Sequence, residues 1–154
     1  MKKYLFLALL LAWSSLVFAQ ADWTLKSAKN GMDIYTKTVS SSGLKGIRVK
    51  CNLPAKLSQM VALILDVNAG EDWVYGTKSS TLLKKVSPSE LYYYSEVDIP
   101  WPINNRDFIA HLIVSQDPRT KVVTINGPTE PNYLPAKENI VRVNHSNGKW
   151  VLTP

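Results

Sequence analysis

One cysteine and two histidines in 154 residues leave little material for thiol or metal chemistry. Cys51 alone cannot build a disulfide framework within the chain or a Cys-rich zinc site. His111 and His145 cannot supply a His-rich metal centre. No G-x-G-x-x-G, Walker, H-E-x-x-H or G-x-S-x-G sequence occurs, so the common nucleotide, zinc-protease and serine-hydrolase signatures are absent. No cofactor is implied. Charge is also sparse: 19% of residues are charged against 45% hydrophobic, with a formal net charge of +6. That composition belongs to a globular domain rather than a disordered chain. The length suits one domain, and no repeat, low-complexity block or long linker divides it. Lys84-Lys85 is too short a basic run for a nucleic-acid patch, and no nucleic-acid partner is expected.

An extended apolar run occurs at the start. Met1-Lys2-Lys3 is positive, Tyr4 to Phe18 is apolar except for Ser14 and Ser15, and small residues follow in Ala19-Gln20-Ala21. This is the three-part pattern of a secretory signal peptide, 1–19, with cleavage after Ala19 or Ala21. The run is short for a membrane span, which needs about 20 residues. The expectation is export, to a bacterial periplasm or as a secreted protein, with 20–154 as the domain. Loss of Lys2 and Lys3 leaves a mild positive charge, suited to solubility or to transient contact with an anionic membrane surface.

Beyond the leader the chain reads as short strands with one helix. Asp33–Val39 and Leu44–Cys51, separated by Ser40-Ser41-Ser42-Gly43, read as a hairpin. Cys51, beside Val49 in an alternating strand, reads as a small buried hydrophobe. Pro54 suits the first turn of a helix. Leu57, Met60, Val61, Ile64 and Leu65 then form one apolar stripe that stops near Asn68-Ala69-Gly70. Four strands follow, Thr77–Val86, Glu90–Asp98, Asp107–Gln116 and Lys121–Asn126, punctuated by proline and glycine. Ile140–Asn144 and Lys149–Thr153 read as a final hairpin through Ser146-Asn147-Gly148. Successive hairpins make an antiparallel sheet with one face on a core and one in water. His111 reads as structural or surface, His145 as solvated.

The segment from Glu90 to Phe108 carries a resemblance. A strand enters Pro100-Trp101-Pro102 and another leaves through Arg106-Asp107-Phe108. This corner resembles that of the START family, the steroidogenic-acute-regulatory-related lipid transfer domains. Trp23, Gly31 and Ile34-Tyr35, the Leu57–Asp66 helix with Trp73 after it, and Val141-Arg142 with Trp150 to Pro154 match in order. The resemblance implies an α+β helix-grip fold, in which a curved antiparallel sheet and a gripping helix enclose an apolar tunnel for one lipid. It also implies strands and a long C-terminal helix beyond Pro154. The domain is therefore expected to be incomplete at its C-terminus, with a dimer partner or second chain covering an apolar face.

Alternation places Phe108, Ala110, Leu112 and Val114 on one face, read as concave, and Tyr92, Tyr94 and Glu96 on one face of the preceding strand. Tyr92, Tyr94, Phe108, Ala110, Leu112, Val114 and Trp150 are the candidate ligand-binding residues; no catalytic or metal-ligating residue is assigned. These aromatics suit either a core or a lipid pocket, since both use the same residue types. Positions matching the family's buried acid and arginine fall near Tyr92 and Leu112, so that charged pair is missing and a neutral, very apolar ligand suits better. Adjacent Arg106 and Asp107 point to opposite faces and are expected to tie the corner rather than act on a substrate. The expected function is binding, and by extension transfer, of a lipid or other hydrophobic small molecule without catalysis. The alternatives are a helix-grip enzyme, cyclase- or hydrolase-like, using His111, Tyr92, Tyr94 and Glu96, and a nonfunctional fragment.

Overall fold

The computed structural model describes residues 23–39 and 42–154. The leader pattern over 1–19 and its cleavage site lie outside the described residues. The described residues fall into two compact units, one ending at Pro54 and the other spanning Ala55–Pro154.

The first unit is a three-stranded antiparallel sheet of β1 (Thr24–Lys29), β2 (Met32–Thr38) and β3 (Lys45–Cys51), in that order. Asn30 and Gly31, with φ of 54° and 73°, make the β1–β2 turn. Two left-handed residues give the hairpin turn whose twist matches the strands, and Asn-Gly is its preferred sequence. The β2–β3 hairpin has the expected position, with Ile34 opposite Val49. Arg48 stacks over the Trp23 ring at 4.1 Å. Cys51 is exposed, which corrects its reading as a buried hydrophobe. Its strand carries exposed side chains at nearly every position, so alternation there marks no core.

The second unit opens with α1 (Leu57–Leu65). Pro54 precedes it instead of occupying its first turn. Lys56 is the N-cap, and its backbone N–H donates to Gln59 Oε1 at 2.9 Å, satisfying a group the helix leaves unpaired. A 3-10 turn (Val67–Ala69) and the short α2 (Gly70–Trp73) follow. The main sheet has the order β4 (Thr77–Ser87), β5 (Glu90–Val97), β6 (Arg106–Gln116), β7 (Val123–Pro128), β9 (Asn147–Leu152), all antiparallel. The stripe on α1 packs as its spacing predicts. Ile64 and Val67 form a buried cluster with Leu91, Leu112, Val123 and Ile125, joined by Leu57, Val61 and Val114 at its margin.

The β4 edge is closed by side chains. Ser80 N–H donates to Glu71 Oε1 at 3.2 Å, and Leu82 N–H donates to Asn68 Oδ1 at 2.8 Å. An edge strand's free N–H groups are otherwise open to pairing with another chain.

The expected final hairpin does not form. β8 (Val141–Arg142) runs parallel to β6, opposite Arg106 and Asp107, while β9 pairs with β7. The reason is the unequal length of β6 and β7. The β7 pairing reaches only from Ile113 to Gln116, so the first half of β6 needs other partners. Asn105 C=O accepts from Val141 N–H and Asp107 C=O from Val143 N–H, at 2.9 and 2.8 Å. The second unit is thus an α+β structure, a largely antiparallel sheet gripping one principal helix.

Candidate functional site

Cross-strand partners in an antiparallel pair share a face, so the β5–β6 register settles which residues look inward. Leu91 faces Leu112, Tyr93 faces Ala110, and Ser95 faces Phe108. This set points toward α1. Tyr92 with His111, Tyr94 with Ile109, and Glu96 with Asp107 point the other way. Across β7 and β9 the inward set continues through Ile125 and Trp150, with Gly127 opposite Gly148.

Where α1 does not cover the inward face, a hollow remains. It comprises adjoining compartments of about 350 and 410 Å³. Tyr93, Val97, Phe108, Leu112 and Trp150 border both. One is floored by Ala110 and Gly127; the other extends to Val67, Gly70 and Trp73. Tyr93 meets Phe108 edge-to-face at 5.7 Å, a favoured arrangement that fixes both rings. Burial pushes the Tyr93 phenol above its ordinary pKa. Among the described residues, no charged side chain lines either compartment. At Gly127 an added Cβ would lie 2.8 Å from Leu112 Cδ2, so glycine there allows strand and leucine to approach.

Four candidate binding residues, Phe108, Ala110, Leu112 and Trp150, meet in this hollow. Val114 shares their face but lies at the margin of the α1 cluster, outside the hollow. Tyr92 and Tyr94 are corrected in position: they project from the opposite face. Tyr92 stacks between His111 and Tyr133, with centroids at 4.0 and 4.7 Å. Tyr94 is buried, its hydroxyl 3.4 Å from Glu96 Oε2, with Lys137 above its ring. The missed inward residues are Tyr93, Ser95 and Val97, with Ser80 across the strand pair. A signal was available: Glu90 and Glu96 share a face with Tyr92 and Tyr94, and two carboxylates mark the wrong side for an apolar pocket.

The outward face is tied down by polar side chains. Asp107, fully buried, accepts from Arg142 Nε and Nη2 at 2.7 and 3.0 Å. Arg142 also donates to the carbonyls of Pro131, Leu134 and Pro135, so one guanidinium pins 131–135 to β6. The bond to Asp107 raises its pKa above the ordinary arginine value. Arg106 and Asp107 do not pair: Arg106 donates to the Asn104 carbonyl. Glu96 anchors the proline-rich corner, accepting from Asn105 Nδ2 at 3.0 Å and Lys78 Nζ at 2.9 Å. These contacts hold its carboxyl below the usual carboxylate range. His111 Nε2 lies 2.8 Å from Glu90 Oε1.

Two loops meet at one end of the hollow. Gly76 C=O accepts from Asp98 N–H at 2.8 Å, joining the Val74–Gly76 turn to the Pro100–Pro102 corner, whose Trp101–Pro102 peptide is cis. Tyr75 and Trp101, at 103% and 92% exposure, stand on these loops with exposed Val74 and Ile103. No helix among the described residues is long and apolar enough to cross a membrane.

The START domain family model matches residues 14–154. The crystal structure of a STAR-related lipid transfer protein from Xanthomonas axonopodis superposes with a TM-score of 0.81 at 30% identity, covering 86% of this chain and 73% of that one. An uncharacterized Pseudomonas aeruginosa protein is 28% identical over 133 residues, 86% of this chain. Mouse phosphatidylcholine transfer protein is 28% identical over 131 residues, 80% of this chain. The chain spans 65% and 58% of the lengths of these two curated relatives.

Proposed function

We propose that this chain, which belongs to the START domain family, holds one lipid or similar hydrophobic molecule in the inward hollow of its main sheet and exchanges it at a membrane surface. The observation that carries this reading is a hollow walled by Tyr93, Phe108, Leu112 and Trp150 on the main sheet, with no charged side chain among its described lining residues. Each methylene transferred from water into such a hollow contributes roughly 0.8 kcal/mol. A ten-carbon tail therefore supplies about 8 kcal/mol before the cost of association. No bond is made or broken.

Exchange needs contact with a bilayer, and Tyr75 and Trp101 suit that role. Aromatic rings with a polar edge favour the headgroup region. The groups an enzyme would draw on, His111, Tyr92, Tyr94 and Glu96, lie on the outward face. His111 and Glu96 are held there by Glu90 and by Lys78 and Asn105. That placement supports binding over catalysis. Export rests on the leader pattern of 1–19, and the mature N-terminus, Gln20 or Asp22, is readable by mass spectrometry.

Nile red binding tests the hollow. Wild-type protein should raise and blue-shift its emission, and Ala110→Trp, which fills the floor beside Phe108, should abolish that rise while the protein stays folded by circular dichroism. Equal emission from both proteins contradicts the assignment.

A further inference from the structure

Among the described residues, Ser80 and Ser95 have relative exposures of 7% and 4%, no hydrogen bond ends on either Oγ, and no fully buried side-chain nitrogen or oxygen is left without a partner, so both hydroxyls keep some open surface. They are direct cross-strand partners, Ser80 on β4 and Ser95 on β5, and both border the larger compartment. A hydroxyl sealed off without a partner would cost free energy; these two stay open beside the hollow they border and are free to bond what occupies it. Two side by side on the wall of an apolar hollow are therefore placed for something that enters it.

Gly70 sharpens the point. Its φ of −57° and ψ of −31° are ordinary right-handed helix, open to any residue. An added Cβ would lie 2.9 Å from both Ser80 Cβ and Ser80 Oγ. Glycine is needed there for room beside the Ser80 hydroxyl, not for backbone freedom. The Ser80 backbone N–H is already taken by Glu71, leaving the side chain as its available polar group.

We infer that Ser80 and Ser95 form a polar seat that selects a lipid whose buried end carries one uncharged oxygen function, a hydroxyl or an ester carbonyl. This rests on the reading of the hollow as a lipid site. Each serine offers one donor and two acceptor positions, so the pair can cradle a single oxygen. Among the described residues the larger compartment offers no counter-charge for a phosphate or ammonium group, and burying such a group unpaired is strongly unfavourable. The seat thus sets the orientation of the ligand, oxygen toward β4–β5 and hydrocarbon along Phe108, Leu112 and Trp150.

The test is displacement of Nile red from the full chain by dodecane, 1-dodecanol, methyl laurate and dodecylphosphocholine. Wild type should prefer the alcohol or the ester to dodecane by roughly tenfold, the scale of one or two neutral hydrogen bonds. The two oxygen probes separate hydroxyl from carbonyl. Ser80→Ala and Ser95→Ala should each reduce that preference, and the double variant should erase it while leaving dodecane affinity unchanged. Serine-to-alanine changes remove one atom, and circular dichroism checks each fold. If all four probes displace the dye but the serine variants alter nothing, or if dodecylphosphocholine binds tightest, the seat is refuted and the hollow stands. If no probe displaces the dye and the dye itself does not bind, the hollow fails as a lipid site and the seat with it.

Discussion

Arg142→Met is the most discriminating test of how the sheet is held. Arg142 and Asp107 side chains are 8% and 1% exposed, and the pair is bidentate. Methionine removes the donor fork and leaves the Asp107 carboxylate buried without its partner. Breaking a buried pair from one side costs about 3–5 kcal/mol, because the remaining charge is stranded. The carbonyls of Pro131, Leu134 and Pro135 also lose their common donor. In urea, with a slope of about 1–3 kcal/mol per molar, the midpoint should fall by roughly 1–5 M. Arg142→Lys keeps the charge without the planar fork and should fall between the two. Asp107→Asn in the Arg142→Met background should recover part of the loss, since no stranded charge remains. Amide exchange over 129–142 should quicken in the single variant. A loss under about 1 kcal/mol, the scale of a surface pair, would refute the reasoning.

Three shorter predictions follow from the same geometry. Glu96 has a depressed carboxyl pKa, caused first by Asn105 and then by Lys78. Its stabilisation is therefore full above the ordinary value of about 4.3 and is lost as pH falls through the lower folded value. Glu96→Gln should cost about 1 kcal/mol at pH 7, with the gap to wild type closing in thermal melts toward pH 3; a gap independent of pH contradicts the assignment. Tyr75→Ser with Trp101→Ser should reduce co-flotation with phospholipid vesicles severalfold without altering Nile red binding, and unchanged flotation removes the docking tip. Cys51, exposed on β3, should react with a thiol reagent in the native protein as fast as in the unfolded chain; protection would mean that the strand is covered in solution.

Much of the architecture was legible because it depends on local pattern. The stripe from Leu57 to Leu65 gave α1, and the alternation from Phe108 to Leu112 gave the inward face of β6. The corner at Pro100–Phe108 carried the family resemblance, which the match over 14–154 supports. The rest failed where it depended on pairing. Alternation gives two faces to β5 without saying which meets the inward face of β6; the register that puts Tyr93 opposite Ala110 is a property of two strands together. Likewise β8 lies on β6 because of the length of β6 that β7 leaves unpaired, a fact absent from its own residues. Asn30-Gly31 is a local signal for the β1–β2 hairpin, whereas the Ser80–Ser95 pair exists only in the register of two strands.

The most direct test of the central claim is native mass spectrometry of the full chain purified without detergent, beside Ala110→Trp. The account predicts that wild type carries a one-to-one adduct, released on denaturation as an uncharged lipid bearing a hydroxyl or ester oxygen. The plugged variant should fly at its bare mass. Wild type at bare mass even after incubation with neutral lipid vesicles, or the same adduct retained by Ala110→Trp, would contradict it.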